Sequence, residues 1–84
     1  MSFHTYILFS ESSLKYYTGS CEDLTARMDR HNSSMVPSTR LGIPWKLVWS
    51  KELPTRGEAM ILEKKIKKRG AKRFLEDLEN AEKI

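Results

Sequence analysis

The spacing of apolar and polar positions changes several times along the chain, and each change marks an element. Phe3 to Phe9 (FHTYILF) is dense in aromatic and β-branched residues and reads as a strand. Ser10-Glu11-Ser12-Ser13 is polar and short enough for a hairpin connection, so Leu14 to Gly19 (LKYYTG) is expected as the second strand. Gly19 at its end points to a close approach of the backbone to a neighbour. Ser20-x-x-Asp23 has the form of a capping box and opens a predicted helix running to about His31-Asn32. Ser33 to Pro44, rich in breakers, reads as a loop, and its length suggests a functional role. Trp45 to Ser50 alternates Trp45, Leu47 and Trp49 against Lys46, Val48 and Ser50, the mark of a third strand. Pro54 and Thr55 open a second helix with Thr55-x-x-Glu58 as its capping box, and Ala59, Leu62 and Ile66 form its apolar stripe. Gly70 can end it in a left-handed cap, and a third helix follows with Phe74, Leu75, Leu78 and Ala81 on one side. The expected order is ββαβαα, an α+β domain in which a small sheet is covered by helices.

Length bounds this picture. Eighty-four residues make one small domain, 1–84, with a single modest core. The 39% hydrophobic content suffices for a core and argues against disorder. No apolar run approaches the ~20 residues of a membrane span, and the start, Met1-Ser2-Phe3-His4-Thr5, lacks the basic region of a signal peptide. One cysteine, Cys21, excludes an internal disulfide framework and a cysteine-rich zinc site. A cytoplasmic protein with no membrane partner is expected.

Charge adds a partner to consider. The net charge is +4, but Lys64, Lys65, Lys67, Lys68, Arg69, Lys72 and Arg73 fall in one run without an acid, while Glu76, Asp77, Glu79 and Glu82 follow. A run of this density suits a polyanion. It equally suits a solvated helix face balanced by its acidic neighbour.

Candidate chemistry lies mostly on the first helix and the first two strands. Leu24, Arg27, Met28 and His31 share one helical face, which the apolar pair turns toward the protein. Arg27 and His31 therefore point inward or into a cleft. Such residues serve catalysis, or else an arginine is held by a core carboxylate and a histidine bonds to backbone. Tyr16 and Tyr17 must face opposite sides of the sheet, so one of them sides with Tyr6. A phenol works as a base near neutrality only beside a cation; otherwise these tyrosines are ordinary strand formers. Glu58 is the acid of the Thr55 capping box, and a single carboxylate there also suits a hard divalent ion that keeps its waters. Cys21, expected in the first helical turn, is flanked by Glu22 and Asp23, which oppose thiolate formation, and His4 reads as packing or surface.

Taken in order, these segments resemble the GIY-YIG nuclease superfamily, and most closely its small stand-alone bacterial members, similar to the N-terminal nuclease domain of UvrC. The resemblance rests on His4-Thr5-Tyr6, Tyr17-Thr18-Gly19, Asp23-Leu24-x-x-Arg27-x-x-x-His31-Asn32, Ser38-Thr39-Arg40, Gly42-x-Pro44-Trp45-Lys46-Leu47-Val48, Glu58-Ala59 and Glu63-x-x-Ile66-Lys67-Lys68. It implies a three-stranded antiparallel sheet flanked by helices and an endonuclease dependent on one Mg²⁺ or Mn²⁺, acting on DNA, including branched or damaged DNA. By the same resemblance, Tyr6, Tyr17 and His31 activate water, Arg27 stabilises phosphoryl charge, and Glu58 binds the metal. Lys64 to Arg73 would hold the nucleic-acid backbone without reading sequence, with Thr39 and Arg40 adding phosphate contacts from the long loop. Two further classes compete with the enzyme: a nucleic-acid-binding module with the same fold and little turnover, and a protein-interaction domain using Trp45, Trp49 and the acidic tail.

Overall fold

The computed structural model describes residues 2–33 and 36–82. Met1 of the N-terminal reading, residues 34 and 35 of the expected loop, Lys83 and Ile84 lie outside them. The strands are β1 (Phe3–Ser10), β2 (Lys15–Cys21) and β3 (Trp45–Leu53). The helices are α1 (Leu24–Asn32), α2 (Arg56–Arg69) and α3 (Ala71–Glu82), so the order is ββαβαα. The sheet is antiparallel with β1 between β2 and β3. That central place explains why Thr5, Tyr6, Ile7 and Leu8 are all buried in succession: helices cover both faces of β1.

The hairpin turn differs from expectation at one residue. Leu14 sits in the turn at φ 56, not in the strand. Ser10 explains this: its carbonyl accepts from Leu14 N at 2.8 Å and its Oγ accepts from Ser13 N at 3.1 Å. These bonds close the turn and push its last residue into the left-handed region.

Strand β2 then runs two residues past Gly19. Ser20 pairs with Thr5 and Cys21 with His4, so both are strand residues. The helix starts later, and its cap is Asp23, whose Oδ1 accepts from Ala26 N at 3.0 Å. Cys21 therefore ends a strand and gains nothing from the helix dipole. Burial pushes its thiol up, Arg27 opposes that, and Asp23 adds to it, so the nucleophile reading has no support.

The pleat assigns each face of the sheet. Tyr6 and Leu8 point toward α1, where they cluster with Cys21, Trp45, Tyr17, Leu24 and Met28. Thr5 and Ile7 point toward α2. On that side Thr5 Oγ1 donates to the Ala59 carbonyl at 2.7 Å, and Ser20 Oγ donates to the same oxygen at 3.2 Å. Of the expected α2 stripe, Ala59 and Ile66 are fully buried. Gly70, at φ 93, ends α2 by donating its N–H to Ile66 O at 2.8 Å, and the chain turns directly into α3.

The alternation expected in β3 breaks at a bulge. Leu8 pairs with Leu47 and Ile7 with Trp49, leaving Val48 unpaired. Trp45 consequently packs under α1, whereas Trp49 faces the other side and meets Phe74 of α3 edge-on at 5.1 Å. Trp45 is buried and so withdrawn from the protein-docking surface of the third reading, while half-buried Trp49 lines a shallow groove with Val48, Leu75, Leu78 and Glu79. Among the described residues no helix is long and apolar enough to cross a membrane.

Candidate active site

Tyr6 and Tyr17 share the α1 face of the sheet, with ring centroids 6.3 Å apart, while Tyr16 turns away to pack on Phe9 at 4.8 Å. Gly19, opposite Tyr6 in the register, makes room for the phenol: a Cβ there would lie 2.6 Å from Tyr6 Oη. Only glycine lets that hydroxyl lie over the neighbouring strand.

The hydroxyl it admits is bonded to His31. Tyr6 Oη lies 3.0 Å from His31 Nε2, and both side chains are 0% exposed. On its other side His31 Nδ1 lies 2.9 Å from Thr39 Oγ1. Tyr17 closes over the imidazole edge-on, with centroids 4.8 Å apart. Burial pushes the Tyr6 phenol well above its ordinary range; neighbouring Tyr17 adds to this and Arg27 opposes it. Burial also lowers the His31 pKa, and repulsion from Arg27 lowers it further. Tyr6 is thus a hydrogen-bonding phenol, and His31 a neutral imidazole, at physiological pH.

The returning loop is anchored around the same residues. Asn32 brackets Trp45: its Oδ1 accepts from Trp45 N at 2.7 Å and its Nδ2 donates to Trp45 O at 3.2 Å. Trp45 Nε1 in turn donates to the Thr39 carbonyl at 2.6 Å. Thr39 is 1% exposed. It is part of the buried network and is withdrawn from the surface phosphate contacts expected of it. Arg40 beside it is exposed.

Arg27 lies between this buried network and an open cleft of about 540 Å³ at the β2 edge. Arg30, Arg56, Cys21 and Glu63 also line the cleft. Among the described residues Arg27 has no ion-pair partner, so the core carboxylate proposed as its structural alternative is absent there. A half-buried guanidinium without a counter-ion, facing a cleft, is available to a bound anion.

The two α2 carboxylates separate clearly. Glu58 is exposed and spent on the cap: its N–H donates to Thr55 Oγ1 at 3.2 Å, and its Oε2 accepts from that hydroxyl at 3.3 Å. It does not line the cleft. Glu63 does, with a side chain only 22% exposed, and it accepts Lys67 Nζ at 2.8 Å. Lys67, whose pKa this bond raises, is the larger exposed partner. Among the described residues no three His, Cys, Asp or Glu gather to hold a metal. A single half-buried carboxylate in an open cleft fits a hard divalent ion that keeps most of its waters, and Glu63 already accepts one cation. Glu63 is the cleft carboxylate that the sequence reading passed over in favour of Glu58. Its signal was its place on the buried stripe, four residues after Ala59 and three before Ile66.

The basic run is exposed along the end of α2 and the start of α3. Lys67 pairs with Glu63, and Arg69 makes a two-pronged pair with Asp77 at 2.8 and 3.0 Å. Lys64, Lys65, Lys68, Lys72 and Arg73 have no ion-pair partner among the described residues. The compensated and the polyanion readings therefore each hold for part of the run.

A family model described as the GIY-YIG catalytic domain matches residues 2–76, and the chain belongs to that family, whose domains are in general nucleases acting on DNA. Among solved structures, it is similar to the solution NMR structure of a UPF0213 protein from Bacillus halodurans. Identity is 28% over 94% of this chain and 84% of that one, with a TM-score of 0.57. No curated protein matches it significantly.

Proposed function

We propose that this domain is a divalent-metal-dependent endonuclease that hydrolyses phosphodiester bonds in DNA. The observation that carries this is the meeting of Arg27 and Glu63 in one cleft beside the buried Tyr6–His31 pair. Cleaving a phosphodiester requires a positioned water, a cation on the developing charge and a stabilised leaving oxygen. Arg27 supplies a guanidinium to the phosphoryl oxygens as their charge grows. Glu63 would hold Mg²⁺ or Mn²⁺, which when bound supplies Lewis-acid stabilisation of the phosphate. Releasing Lys67 from Glu63 costs little, because the pair is partly exposed. Tyr6 is fully buried, so its hydroxyl acts through His31. Tyr17, half-buried and edge-on to His31, is the more exposed of the two tyrosines and would be the one to orient water.

Lys64, Lys65, Lys68, Lys72, Arg73 and Arg40 are proposed to hold the DNA backbone through phosphate contacts that carry no sequence information. The test is incubation with supercoiled and branched DNA in Mg²⁺, Mn²⁺ or EDTA. Nicking that EDTA abolishes is the expected result; a folded protein that binds these DNAs and cuts none in either metal contradicts the proposal.

A further inference from the structure

We infer that Thr39 is a positioning residue for the proposed cleavage: it holds His31 as the Nδ1–H tautomer and so reserves Nε2 as the acceptor for the Tyr6 hydroxyl. The inference rests on counting hydrogens and acceptors in a closed site. Tyr6, His31 and Thr39 are 0%, 0% and 1% exposed, so none of their polar hydrogens is left to bulk water. No buried side-chain nitrogen or oxygen lacks a partner among the described residues.

A neutral imidazole brings three hydrogens to the chain: Tyr6 O–H, one ring N–H and Thr39 O–H. Three acceptors besides the Tyr6 oxygen itself face them. They are the bare ring nitrogen, Thr39 Oγ1 and the Val36 carbonyl, which lies 3.3 Å from Thr39 Oγ1. With the proton on Nδ1 every hydrogen has an acceptor. Tyr6 donates to Nε2, Nδ1–H donates to Thr39, and Thr39 donates to Val36. With the proton on Nε2, Thr39 must turn to Nδ1 and the ring donates to Tyr6. The Tyr6 O–H is then buried with no acceptor among the described residues. A doubly protonated ring orphans the same hydroxyl and adds a buried charge. Leaving a buried donor unmade costs about 1–3 kcal/mol, enough to set the tautomer.

Thr39 is itself well placed. Trp45 Nε1 clamps its carbonyl at 2.6 Å, and its own N–H donates to Val36 O at 3.1 Å. The loop from Val36 to Trp45 thereby fixes a hydroxyl whose only direct contact with the site is through His31. In the nuclease reading, Tyr6 then keeps its proton on the His31 side. Its oxygen lone pairs are left toward the neighbouring strand and Tyr17.

Long-range ¹H–¹⁵N correlation of the imidazole nitrogens, recorded above the histidine titration range, reads the tautomer directly. Only His4 and His31 contribute, and a His4→Gln protein assigns them. Wild-type His31 is expected to show a protonated Nδ1 and a bare Nε2. Thr39→Val leaves one buried donor unmade in either tautomer, the ring Nδ1–H or the Tyr6 O–H, and is expected to turn the single Nδ1–H form into a mixture with Nε2–H. It should lower cleavage about 10²-fold, the low end of what general acid–base groups contribute, while DNA affinity holds. Thr39→Ser keeps the hydroxyl and is expected to restore both tautomer and rate.

A wild-type His31 protonated on Nε2 overturns the inference, and so does a folded Thr39→Val protein that shows Nδ1–H alone. If Thr39→Val does not fold, the wild-type and Thr39→Ser spectra still decide. The nuclease reading fails separately, on a wild-type chain that cuts no DNA while His31 carries its proton on Nδ1.

Discussion

One sheet serves two faces that bury opposite kinds of atoms. Under α1 the strands bury a phenol, an imidazole and a hydroxyl, joined as Tyr6, His31 and Thr39. Under α2 they bury Ile7 against hydrocarbon such as Ala59 and Ile66, with Thr5 and Ser20 both satisfied at one backbone oxygen. A buried polar network tolerates little, because each lost partner strands another group, whereas an apolar face loses only contact and area. The difference teaches where function sits. In the proposed nuclease the α1 face would hold the chemistry in place, while the α2 face supports it and carries the charged exterior. Arg27 and Glu63 come from opposite faces and meet in the cleft at the β2 edge.

Substitutions on the two sides should therefore fail differently. Arg27→Ala has the largest expected effect on turnover, a loss of about 10²–10³ in cleavage rate, the cost of removing one charge-stabilising donor. Its melting temperature and DNA affinity should stay near wild type, since Arg27 has no ion-pair partner among the described residues. Collapse of the fold in a thermal melt would place Arg27 in the structural network instead. Ile66→Ala should do the reverse, lowering stability by about 2–5 kcal/mol in denaturant titration, with unchanged specific activity of the folded fraction.

Tyr6→Phe sharpens the contrast within the α1 face. It strands His31 Nε2 and should cost about 1–3 kcal/mol, more than the loss of one hydroxyl at the surface. A Tyr6→Phe protein as stable as wild type would mean that the buried network contributes no net stability. The pH dependence follows from the same burial. His31 has a folded pKa below its unfolded value near 6.5, so below that value the unfolded chain binds the extra proton more readily. Stability from this group is complete above the unfolded pKa and is lost as pH falls from about 6.5 toward the folded pKa. The melting temperature should drop between pH 7 and pH 5, and His31→Gln should flatten that drop. The smallest change belongs to the exterior. Replacing Lys65, Lys68 and Lys72 with Ala should reduce the slope of log K against log salt by up to ~3, at about 0.9 per phosphate contact. An unchanged slope would make the run a solvated face.

Much of this was legible in the residues, for physical reasons. The ββαβαα order follows from local period and breakers, and the Arg27–His31 face follows from helical spacing alone. What was not legible depended on distant partners. Ser20 and Asp23 are both good caps, and only pairing with Thr5 and the bond to Ala59 O makes Ser20 a strand residue. Val48 carries no glycine or proline to announce its bulge. Thr39 looks like a loop hydroxyl until the chain returns it to His31. Glu58 and Glu63 lie on one helix, five residues apart. The resemblance gave the metal role to the first, but its cap explains that residue fully, while burial against the sheet favours the second.

Those two glutamates provide the most direct measurement. Glu58→Gln and Glu63→Gln should be assayed on supercoiled DNA across a range of Mg²⁺ and Mn²⁺ concentrations, beside thermal melts and DNA-binding titrations. A neutral amide is a much poorer ligand for a hard cation but still caps a helix. Glu58→Gln is expected to cut DNA as wild type does, with a stability loss of ~1 kcal/mol or less. Glu63→Gln is expected to melt near wild type, bind DNA and fail to cut at moderate metal concentration. Undiminished metal-dependent cleavage by Glu63→Gln, or a folded Glu58→Gln protein that no longer cuts, would contradict the assignment of the metal to the cleft.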